Sequence, residues 1–367
     1  MRVVFNAVVI SLAVSLCFFS HSGAEAASRI ESMKLLTPDT GWVATTKNLF
    51  WTTDAGRHWK QITPKMSPGQ STDSVFFLDT SIGWALLIGG NAAAIEPQFE
   101  LASTNNAGTT WSILRIKIPH LNPENTVLTG GGHIDFVDPL HGWMNIPVES
   151  SANFQSAILL VTIDGGRTWD WVPESPGVSG SIRFIDLKNG WLAGGPNQFL
   201  YATHDGSKSW QELSLKAPPD LGKATNPLYD LPTFEDEKNG FLPVTYSGPE
   251  GSGLFLVLFS THDGGDNWKL DRVLPHLPEA YGGVPFPSTV VDSVLLTAFG
   301  TGGGRPRLTA EIAGGKIKTV GTGIPGGTNV ERLTFAGTDR GWVLSEGKLL
   351  LTADGGETWT NITPAGN

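Results

Sequence analysis

Six copies of one short motif bring a carboxylate or amide side chain to recurring positions along this chain, and such oxygens are common ligands of calcium ions. Each copy has a threonine, an aspartate or asparagine, a glycine and a tryptophan in that order. The acidic (or amide) residue and the tryptophan of the six copies are Asp54 and Trp59, Asn106 and Trp111, Asp164 and Trp169, Asp205 and Trp210, Asp263 and Trp268, and Asp354 and Trp359. Metal binding is therefore the first chemistry to consider.

The motif fits a hydrogen-bonded turn better than a calcium site. Calcium takes about six to eight oxygen ligands from a compact loop, whereas each copy offers one carboxylate followed by small residues. An Asp or Asn side chain can instead accept backbone N–H bonds within its own turn. Asn106 can do this without a charge. We therefore interpret all six positions as structural, and we expect neither a metal nor a cofactor.

Hydrolysis of a glycoside is the enzymatic chemistry that the sequence leaves open. It needs two carboxyl groups on either side of the bond. Such a pair could come from the acids Glu124, Glu149, Asp220, Glu250 and Glu279, although the sequence does not show that any two converge. Motifs of serine hydrolases, zinc peptidases and phosphate-binding loops do not occur in the chain.

A second motif precedes each aspartate turn and divides the chain into repeats. It is a Gly-Trp pair, usually after an acidic residue, and its aromatic residue is Trp42, Trp84, Trp143, Trp191, Phe241 or Trp342. The shortest repeat predicts four strands, at Ile30–Leu36, Gly41–Thr46, Leu49–Thr53 and His58–Thr63. Four strands in about 40–50 residues are the size of a β-propeller blade. The tryptophans at two fixed places in each repeat are expected to pack between blades.

The spacing of the repeats predicts seven blades. Successive turn tryptophans are 52, 58, 41, 58 and 91 residues apart, and the last gap is too long for one blade. Pro285–Thr289, Val294–Phe299, Arg307–Ala313 and Lys316–Gly321 can supply a sixth blade that lacks both motifs. Six blades with a long insertion is the alternative. No strand is left over to close the ring by a strand exchange, so closure is expected to depend on packing between the first and last blades.

Composition supports an all-β protein and excludes some classes of partner. The 367 residues include 45 glycines and 24 prolines, and only 16% are charged, which suits a chain rich in turns. The formal net charge is −10 and no cluster of Lys and Arg occurs. Nucleic acids and anionic membrane surfaces are therefore not expected as partners.

Residues 1–26 resemble a secretory signal peptide, which leaves 27–367 as a single propeller domain. Arg2 precedes the apolar run Val8–Phe19, which is short for a membrane span, and Ala24-Glu25-Ala26 fits a cleavage site. The alternative of lipid attachment at Cys17 is disfavoured by the bulky Leu16 before it. We expect an exported monomer, not an integral membrane protein.

The aspartate turns resemble the Asp-box, also called the bacterial neuraminidase repeat. Together with the Gly-Trp pairs, they make the whole chain after residue 26 resemble the photosystem II stability/assembly factor family of seven-bladed propellers, and more distantly the sialidases and propeller xyloglucanases. The resemblance to assembly factors implies a binding scaffold rather than an enzyme. It implies a location that is secreted, periplasmic or in the cell envelope, or in the thylakoid lumen if the source is a phototroph.

The more distant resemblance implies a sialidase site that the sequence does not assemble. Such a site has three arginines that bind a carboxylate, a tyrosine nucleophile beside a glutamate, and an aspartate acid/base. The chain has four tyrosines, Tyr201, Tyr229, Tyr246 and Tyr281. Arg57 and Arg167 lie in turns, and Arg29-Ile30-Glu31 only approaches the Arg-Ile-Pro signature, so seven arginines remain unassigned: Arg115, Arg183, Arg272, Arg305, Arg307, Arg332 and Arg340. A glycoside hydrolase on the same fold remains the alternative function.

The lengths of the connections predict which end of the propeller binds a ligand. In an up-and-down blade the Gly-Trp and Asp-box turns share one end, and their lengths are nearly constant. The connections at the other end vary, and variable loops commonly carry function. We therefore expect a protein or polysaccharide ligand at that end. The candidate contacts are His120, Asn153, Phe154, Asn197, Tyr229, Tyr246, His276, Tyr281 and Arg305.

Overall fold

The structure is a computed structural model that describes residues 29–89, 98–118, 126–150, 153–195, 198–221, 225–247, 254–274, 287–301, 304–312, 316–321 and 323–365. In these residues the chain forms thirty β-strands in seven antiparallel sheets, and one short 3₁₀ helix at Pro219–Leu221. Each sheet consists of strands that are consecutive in the chain. The chain is therefore a seven-bladed β-propeller, as predicted.

The first three blades contain the following strands. Blade 1 has β1 (Ile30–Leu35), β2 (Gly41–Thr45), β3 (Leu49–Thr52) and β4 (Lys60–Gln61); blade 2 has β5 (Gln70–Phe77), β6 (Gly83–Gly89), β7 (Gln98–Thr104) and β8 (Ser112–Arg115). Blade 3 has β9 (Thr126–Leu128), β10 (His133–Phe136), β11 (Gly142–Ser150), β12 (Asn153–Thr162) and β13 (Asp170–Trp171). The extra strand β9 pairs with the end of β11.

The remaining four blades complete the ring. Blade 4 has β14 (Gly180–Phe184), β15 (Gly190–Gly194), β16 (Phe199–Thr203) and β17 (Gln211–Leu213); blade 5 has β18 (Thr225–Tyr229), β19 (Thr233–Phe234), β20 (Gly240–Ser247), β21 (Leu254–Thr261) and β22 (Lys269–Val273). Blade 6 has β23 (Ser288–Val291), β24 (Val294–Thr301), β25 (Gly304–Ile312) and β26 (Lys316–Val320); blade 7 has β27 (Arg332–Phe335), β28 (Gly341–Ser345), β29 (Lys348–Thr352) and β30 (Thr360–Asn361).

Blade 6 decides the number of blades. Its four strands pair in chain order, so the alternative of six blades with an insertion is wrong. In place of a Gly-Trp turn it has a two-residue hairpin, in which Asp292 and Ser293 have φ values of 50° and 59°. This left-handed pair is the turn geometry that matches the twist of two antiparallel strands. A blade can thus form without either repeat motif.

The outermost strand of blade 1 is shorter than the sequence predicted. In blade 1 the expected fourth strand, His58–Thr63, is only Lys60–Gln61. The reason is that the Asp-box turn extends as far as Trp59, whose indole N–H bonds to the Ile362 carbonyl of blade 7. The chain is therefore held to a neighbouring blade before it begins to pair within its own sheet.

The core lies between the blades and is built around the Gly-Trp pairs. The rings of Trp84 and Phe136 stack with centroids 3.7 Å apart, and those of Trp143 and Phe184 stack 3.5 Å apart. In each pair the two rings come from adjacent blades. A Cβ on Gly83 would lie 2.4 Å from the Phe77 ring, which explains why glycine precedes the tryptophan. The tryptophans thus pack between blades, as predicted.

No strand exchange closes the ring in the described residues, because blades 1 and 7 are each made of their own consecutive strands. Side chains join them instead. Trp342 of blade 7 donates its indole N–H to the Ala55 carbonyl of blade 1 at 3.2 Å, and its ring lies 5.5 Å from that of Trp59. Arg29 pairs with Glu331 at 2.9 Å across the same boundary. The prediction of closure by packing is confirmed.

Candidate functional site

The Asp-box residues use their polar groups within the turn. In the first copy the Thr52 hydroxyl donates to Asp54 Oδ1 at 2.8 Å and accepts the Gly56 N–H at 2.9 Å, while Asp54 Oδ1 also accepts the His58 N–H at 2.9 Å. The other five copies repeat this set of bonds. Asn106 makes the same bonds through its amide oxygen. The turn therefore needs an acceptor oxygen rather than a charge.

Hydrogen bonding also controls the acidity of these carboxyl groups. The side chain of His58 and the hydroxyl of Ser209 each hydrogen-bond a box carboxylate and lower the pKa of Asp54 and of Asp205, respectively, to about 2. A carboxyl group with so low a pKa stays ionised near neutral pH and is a poor general acid. These aspartates stabilise turns and are not placed for acid–base catalysis.

The residue three places before the Asp-box tryptophan touches the preceding blade. In the fifth copy a Cβ on Gly265 would lie 2.4 Å from the Trp191 ring of blade 4, and Gly265 has a φ of 93°. The fourth copy has Ser207 at this position, also with a positive φ of 71°. Its hydroxyl accepts the indole N–H of Trp143 in blade 3 at 3.2 Å. The departure from the motif is thus used for a contact between blades.

The Asp-box turn and the first turn of each motif-bearing blade form one rigid end, called here the Asp-box end. In blade 1 the Ala55 N–H donates to the Asp39 carbonyl at 2.7 Å, and the other five boxes make the equivalent bond. The opposite end, called the loop end, carries the hairpins between the second and third strands. There β11 and β12 have nine and ten residues, against five and four for β2 and β3. The hairpin of blade 3 is thus about 13 Å taller than that of blade 1.

The structure describes only some of the predicted contacts at the loop end. His120, Asn197, His276 and Tyr281 lie outside the described residues, as do Glu124, Glu250 and Glu279. The side chains of Asn153, Phe154, Glu149 and Asp220 are likewise outside the description, although their backbone is assigned. Arg305 is exposed at the start of β25.

Two of the predicted contacts are wrong, because Tyr229 and Tyr246 are core residues. Their exposed fractions are only 2% and 1%. Both hydroxyls bond to the backbone of Leu215: Tyr229 accepts its N–H at 2.9 Å, and Tyr246 donates to its carbonyl at 3.1 Å. The two rings therefore fix the connector between blades 4 and 5 and are not available to a ligand.

A pocket of about 330 Å³ opens at the loop end between blades 3 and 4. It is lined by Thr129, Gly130, Gly131, Pro147, Val148, Ser179, Gly195 and Gln198. One wall is fixed from blade 2, because both oxygens of the Asp73 carboxylate accept backbone N–H bonds, from Gly131 and Gly132, at 2.8 Å each. Its eight described lining residues offer hydroxyl, amide, backbone and apolar groups, and none of these eight has a titratable side chain. Such a lining can hold polar groups through hydrogen bonds.

A group of charged residues lies on the innermost strands of three blades, and the sequence interpretation named only Arg183 of it. Lys34, Asp135 and Arg183 occupy the same register position on the innermost strands of blades 1, 3 and 4, opposite Trp42, Trp143 and Trp191. Asp135 is buried, with an exposed fraction of 4%, and accepts the Phe184 N–H at 2.6 Å. The sequence does contain a signal for this group. In all three blades the charged residue comes one place before the residue that pairs with the glycine of the Gly-Trp motif.

These three groups interact electrostatically. Burial raises the pKa of Asp135 to about 7, although Arg183 and Lys34 oppose the shift. Desolvation, then repulsion by Arg183, lowers the pKa of Lys34 to about 8. The side chain of Lys34 keeps an accessible surface, so the desolvation comes from the many protein atoms around it and not from complete burial. Farther along the channel, burial and then repulsion by Arg332 lower the pKa of His133 to about 4. Ionisable groups with perturbed pKa values on the innermost strands mark a candidate site.

The requirements of a sialidase are not met by the described tyrosines. Tyr201 is paired across β16 and β17 with Glu212, which gives a tyrosine beside a glutamate. However, desolvation and then the Glu212 charge raise the pKa of Tyr201, the opposite of what a phenolate nucleophile needs. The pair also lies on the two outer strands of blade 4, away from the channel.

Comparison of the structure with solved structures places the fold among known propellers. A structure titled YCF48 bound to D1 peptide matches with a TM-score of 0.56 and 17% identity, over 89% of this chain and 93% of that one. The chain resembles YCF48 in fold. YCF48 from Cyanidioschyzon merolae matches with a TM-score of 0.48 and 14% identity, over 84% and 90% of the two chains. A polysaccharide lyase of family PL25, an ulvan lyase, matches with a TM-score of 0.48 and 11% identity, over 77% and 80%.

Sequence comparison identifies no relatives: no protein-family model and no curated protein matches the chain. Among the described residues, no helix has the length and apolar character needed to cross a membrane. Within that same part of the chain, no three His, Cys, Asp or Glu side chains are grouped closely enough to hold a metal ion.

Proposed function

We propose that this protein is an exported binding scaffold that holds a peptide segment of a partner protein at the loop end, in the pocket between blades 3 and 4. The observation that carries the proposal is the described lining of that pocket, where hydroxyl, amide and backbone groups, together with Pro147 and Val148, surround a space of about 330 Å³ and no described residue has a titratable side chain. Such groups recognise the N–H and C=O groups of a peptide by hydrogen bonds.

The pocket has the rigidity that a peptide site requires. Gly131 and Gly132 are held by the Asp73 carboxylate of the neighbouring blade, and the Gly195 N–H bonds to the Ser179 carbonyl at 2.9 Å. A preformed pocket lowers the entropy lost when a flexible peptide binds. The volume also falls in the usual range of about 300–1,000 Å³ for ligand pockets.

Two further points support a peptide. The fold is shared with YCF48, whose structure contains a bound D1 peptide. Among the exposed large hydrophobic residues of the described chain, the one aromatic is Trp171, and it belongs to an outermost strand that directly follows an Asp-box. The aromatic rings described near the loop end, Phe199 and Phe255, are only partly exposed, which favours a peptide over a polysaccharide that stacks on open rings. Export is supported by the signal-like residues 1–26.

Site-specific photo-crosslinking tests the proposal. A benzophenone amino acid is placed at Ser179, in the pocket, and in a matched protein at Thr109, which is exposed on the Asp-box end. After irradiation in an extract of the native envelope, protein adducts are expected only from the Ser179 protein, with the crosslinked residue lying on one peptide segment of the partner.

The two probes also give the results that would reject the proposal. Equal adducts from Ser179 and Thr109 would mean nonspecific contact, and adducts only from Thr109 would move the binding site to the Asp-box end. Adducts with carbohydrate at Ser179 would replace the peptide ligand by a polysaccharide. The variant Gln198→Ala provides a check within the pocket, because it should weaken the Ser179 adduct while leaving the fold intact.

A further inference from the structure

A second cavity, of about 410 Å³, opens at the Asp-box end between blades 2 and 3. Its apolar lining includes Trp84, Leu101 and Leu114 of blade 2 and Leu140 of blade 3. Leu114 and Leu140 have exposed fractions of 42% and 50%. Water therefore contacts apolar surface here, and a ligand that covers this surface is stabilised by its burial.

Comparison with blade 1 shows which group suits the cavity. Trp51 of blade 1 and Ser103 of blade 2 occupy the same register position, because each pairs with the tryptophan of its Gly-Trp motif, Trp42 or Trp84. The Trp51 ring is 5% exposed and packs against Phe77 of the next blade, with centroids 4.8 Å apart. Ser103 has no ring, and it lines the cavity instead. An aromatic ring is thus the group that this position holds where the boundary is closed.

The outermost strand of blade 2 is open at the same place. Counted from the Asp-box tryptophan, Leu114 corresponds to Ile62 of blade 1, which is only 3% exposed. The Ile62 carbonyl accepts the indole N–H of Trp111 from blade 2 at 2.6 Å. At the next boundary Trp169 donates instead to Gly166 of its own turn, at 3.1 Å. Blade 3 therefore does not hold the outer strand of blade 2 through this bond, and Leu114 stays uncovered.

Arg167 adds a positive charge to the lining of the cavity. In the described part of the chain its guanidinium makes one hydrogen bond, to the Asp164 carbonyl at 3.3 Å, and no ion pair. Both oxygens of the Asp164 carboxylate are used within the turn, by the Thr162 hydroxyl and by the N–H and hydroxyl of Thr168. The guanidinium can therefore donate two parallel hydrogen bonds to a carboxylate from outside the chain.

We propose that the cavity between blades 2 and 3 binds a small aromatic acid, with one planar ring system and a carboxylate on a short arm. The ring covers Leu114 and Leu140 beside Ser103, and the carboxylate pairs with Arg167. The volume falls in the usual range for small-molecule sites, which are mostly apolar with a few polar groups that fix orientation. This site lies at the opposite end from the peptide pocket, so it goes beyond the proposed function and does not depend on it.

Ligand-observed NMR titration of the full-length protein tests the class of ligand with four probes: phenylacetate, cyclohexylacetate, indole-3-acetate and tryptamine. Phenylacetate and indole-3-acetate are expected to bind, because each has a planar ring and a carboxylate. Cyclohexylacetate keeps the charge without a planar ring, and tryptamine keeps the indole but reverses the charge. Each of these two should bind at least about threefold more weakly than its aromatic acid counterpart.

Two variants connect the binding to the cavity, each with a matched control. Ser103→Trp places an indole where blade 1 has Trp51 and should abolish binding of both aromatic acids, whereas Thr109→Trp adds the same ring to an exposed residue outside the cavity. Arg167→Met should weaken both acids by about threefold or more. Its control is Arg57→Met, at the same position of the first Asp-box. Arg167 is an exposed turn residue, so this second variant decides the matter even if Ser103→Trp folds poorly.

The contrary outcomes are equally definite. No saturable binding of either aromatic acid, or binding that Ser103→Trp leaves unchanged, would overturn the site. Equal affinity for phenylacetate and cyclohexylacetate would overturn the aromatic class, and equal losses with Arg167→Met and Arg57→Met would remove the role of Arg167. A negative result here leaves the crosslinking test at Ser179 unaffected, since that pocket contains none of these residues and a small acid forms no protein adduct at Thr109.

Discussion

Asp135 shows how a single buried carboxyl group can make stability depend on pH. Burial raises its pKa to about 7 from the ordinary 3.8, so the folded protein holds a proton that the unfolded chain releases. The stabilisation from the protonated carboxyl is complete below the unfolded pKa of 3.8 and is lost as the pH rises through 7. Asparagine resembles the protonated form and keeps an oxygen for the Phe184 N–H. We therefore expect Asp135→Asn to raise the free energy of unfolding at pH 8 by up to about 4 kcal/mol.

Denaturant unfolding at a series of pH values between 4 and 8 measures this difference, which should shrink toward pH 4. Asp205→Asn is the control, because hydrogen bonds lower the pKa of that exposed turn carboxyl to about 2. Its contribution is present above the unfolded pKa, so the variant should not gain stability at pH 8. If Asp135→Asn were less stable than the wild type at pH 8, the ionised carboxylate would stabilise the fold through its attraction to Lys34 and Arg183.

The residue scale also shows which candidate positions could be predicted from sequence. The turn role of Asp54 followed from its spacing, because all of its bonds are local. Tyr229 could not be assigned in the same way: its hydroxyl bonds to Leu215, fourteen residues away, and the path of that connector is set by packing between blades. Lys34 and Arg183 are farther apart still in the chain, and only the ring of blades shows that they occupy the same register position on innermost strands.

At the scale of the element, the Asp-box is a turn whose stability depends on its threonine. Thr52→Val has nearly the same shape but removes the hydroxyl that donates to Asp54 and accepts the buried Gly56 N–H. We expect the free energy of unfolding to fall by about 1–3 kcal/mol, the cost of a buried N–H without a partner. Thermal and denaturant unfolding measure this loss.

Thr53 provides the matched control for that experiment, since it is the adjacent threonine and its side chain is exposed. Thr53→Val should change the free energy of unfolding by no more than about 0.5 kcal/mol. Equal losses at the two positions would mean that valine disturbs the strand end itself and that the hydroxyl bonds of Thr52 contribute little.

Blade 6 limits what the repeat motifs explain. It forms four paired strands with a two-residue hairpin at Asp292 and Ser293 and no Asp-box. Its hairpin is held from blade 5, because Glu235 accepts hydrogen bonds from Ser293. The motifs therefore reveal the period of the fold, which predicted seven blades, but a blade can form without them. Strand ends were less predictable because contacts between blades determine them, as Trp59 does for β4.

At the scale of the whole molecule, the boundary between blades 7 and 1 differs from the other boundaries in having no chain connection. Its cohesion comes from side chains such as Trp342, which is fully buried and bonds to the Ala55 carbonyl. Trp143 is the equivalent residue at the boundary of blades 3 and 4, where it stacks on Phe184 and bonds to Ser207. At that second boundary the chain continues directly from β13 to β14.

Truncating these two tryptophans should therefore have different consequences. Each change to alanine removes a large buried ring and should cost about 3–5 kcal/mol. With Trp342→Ala, native-state hydrogen exchange is expected to accelerate first in β1, β2, β27 and β28, because blades 1 and 7 can separate without unfolding the rest. With Trp143→Ala, the connection between blades 3 and 4 opposes such a separation, so exchange should accelerate across the whole ring. If the two variants gave the same pattern of exchange, the boundary between blades 7 and 1 would be as cooperative as the others, and packing alone would be sufficient to make the propeller a single folding unit.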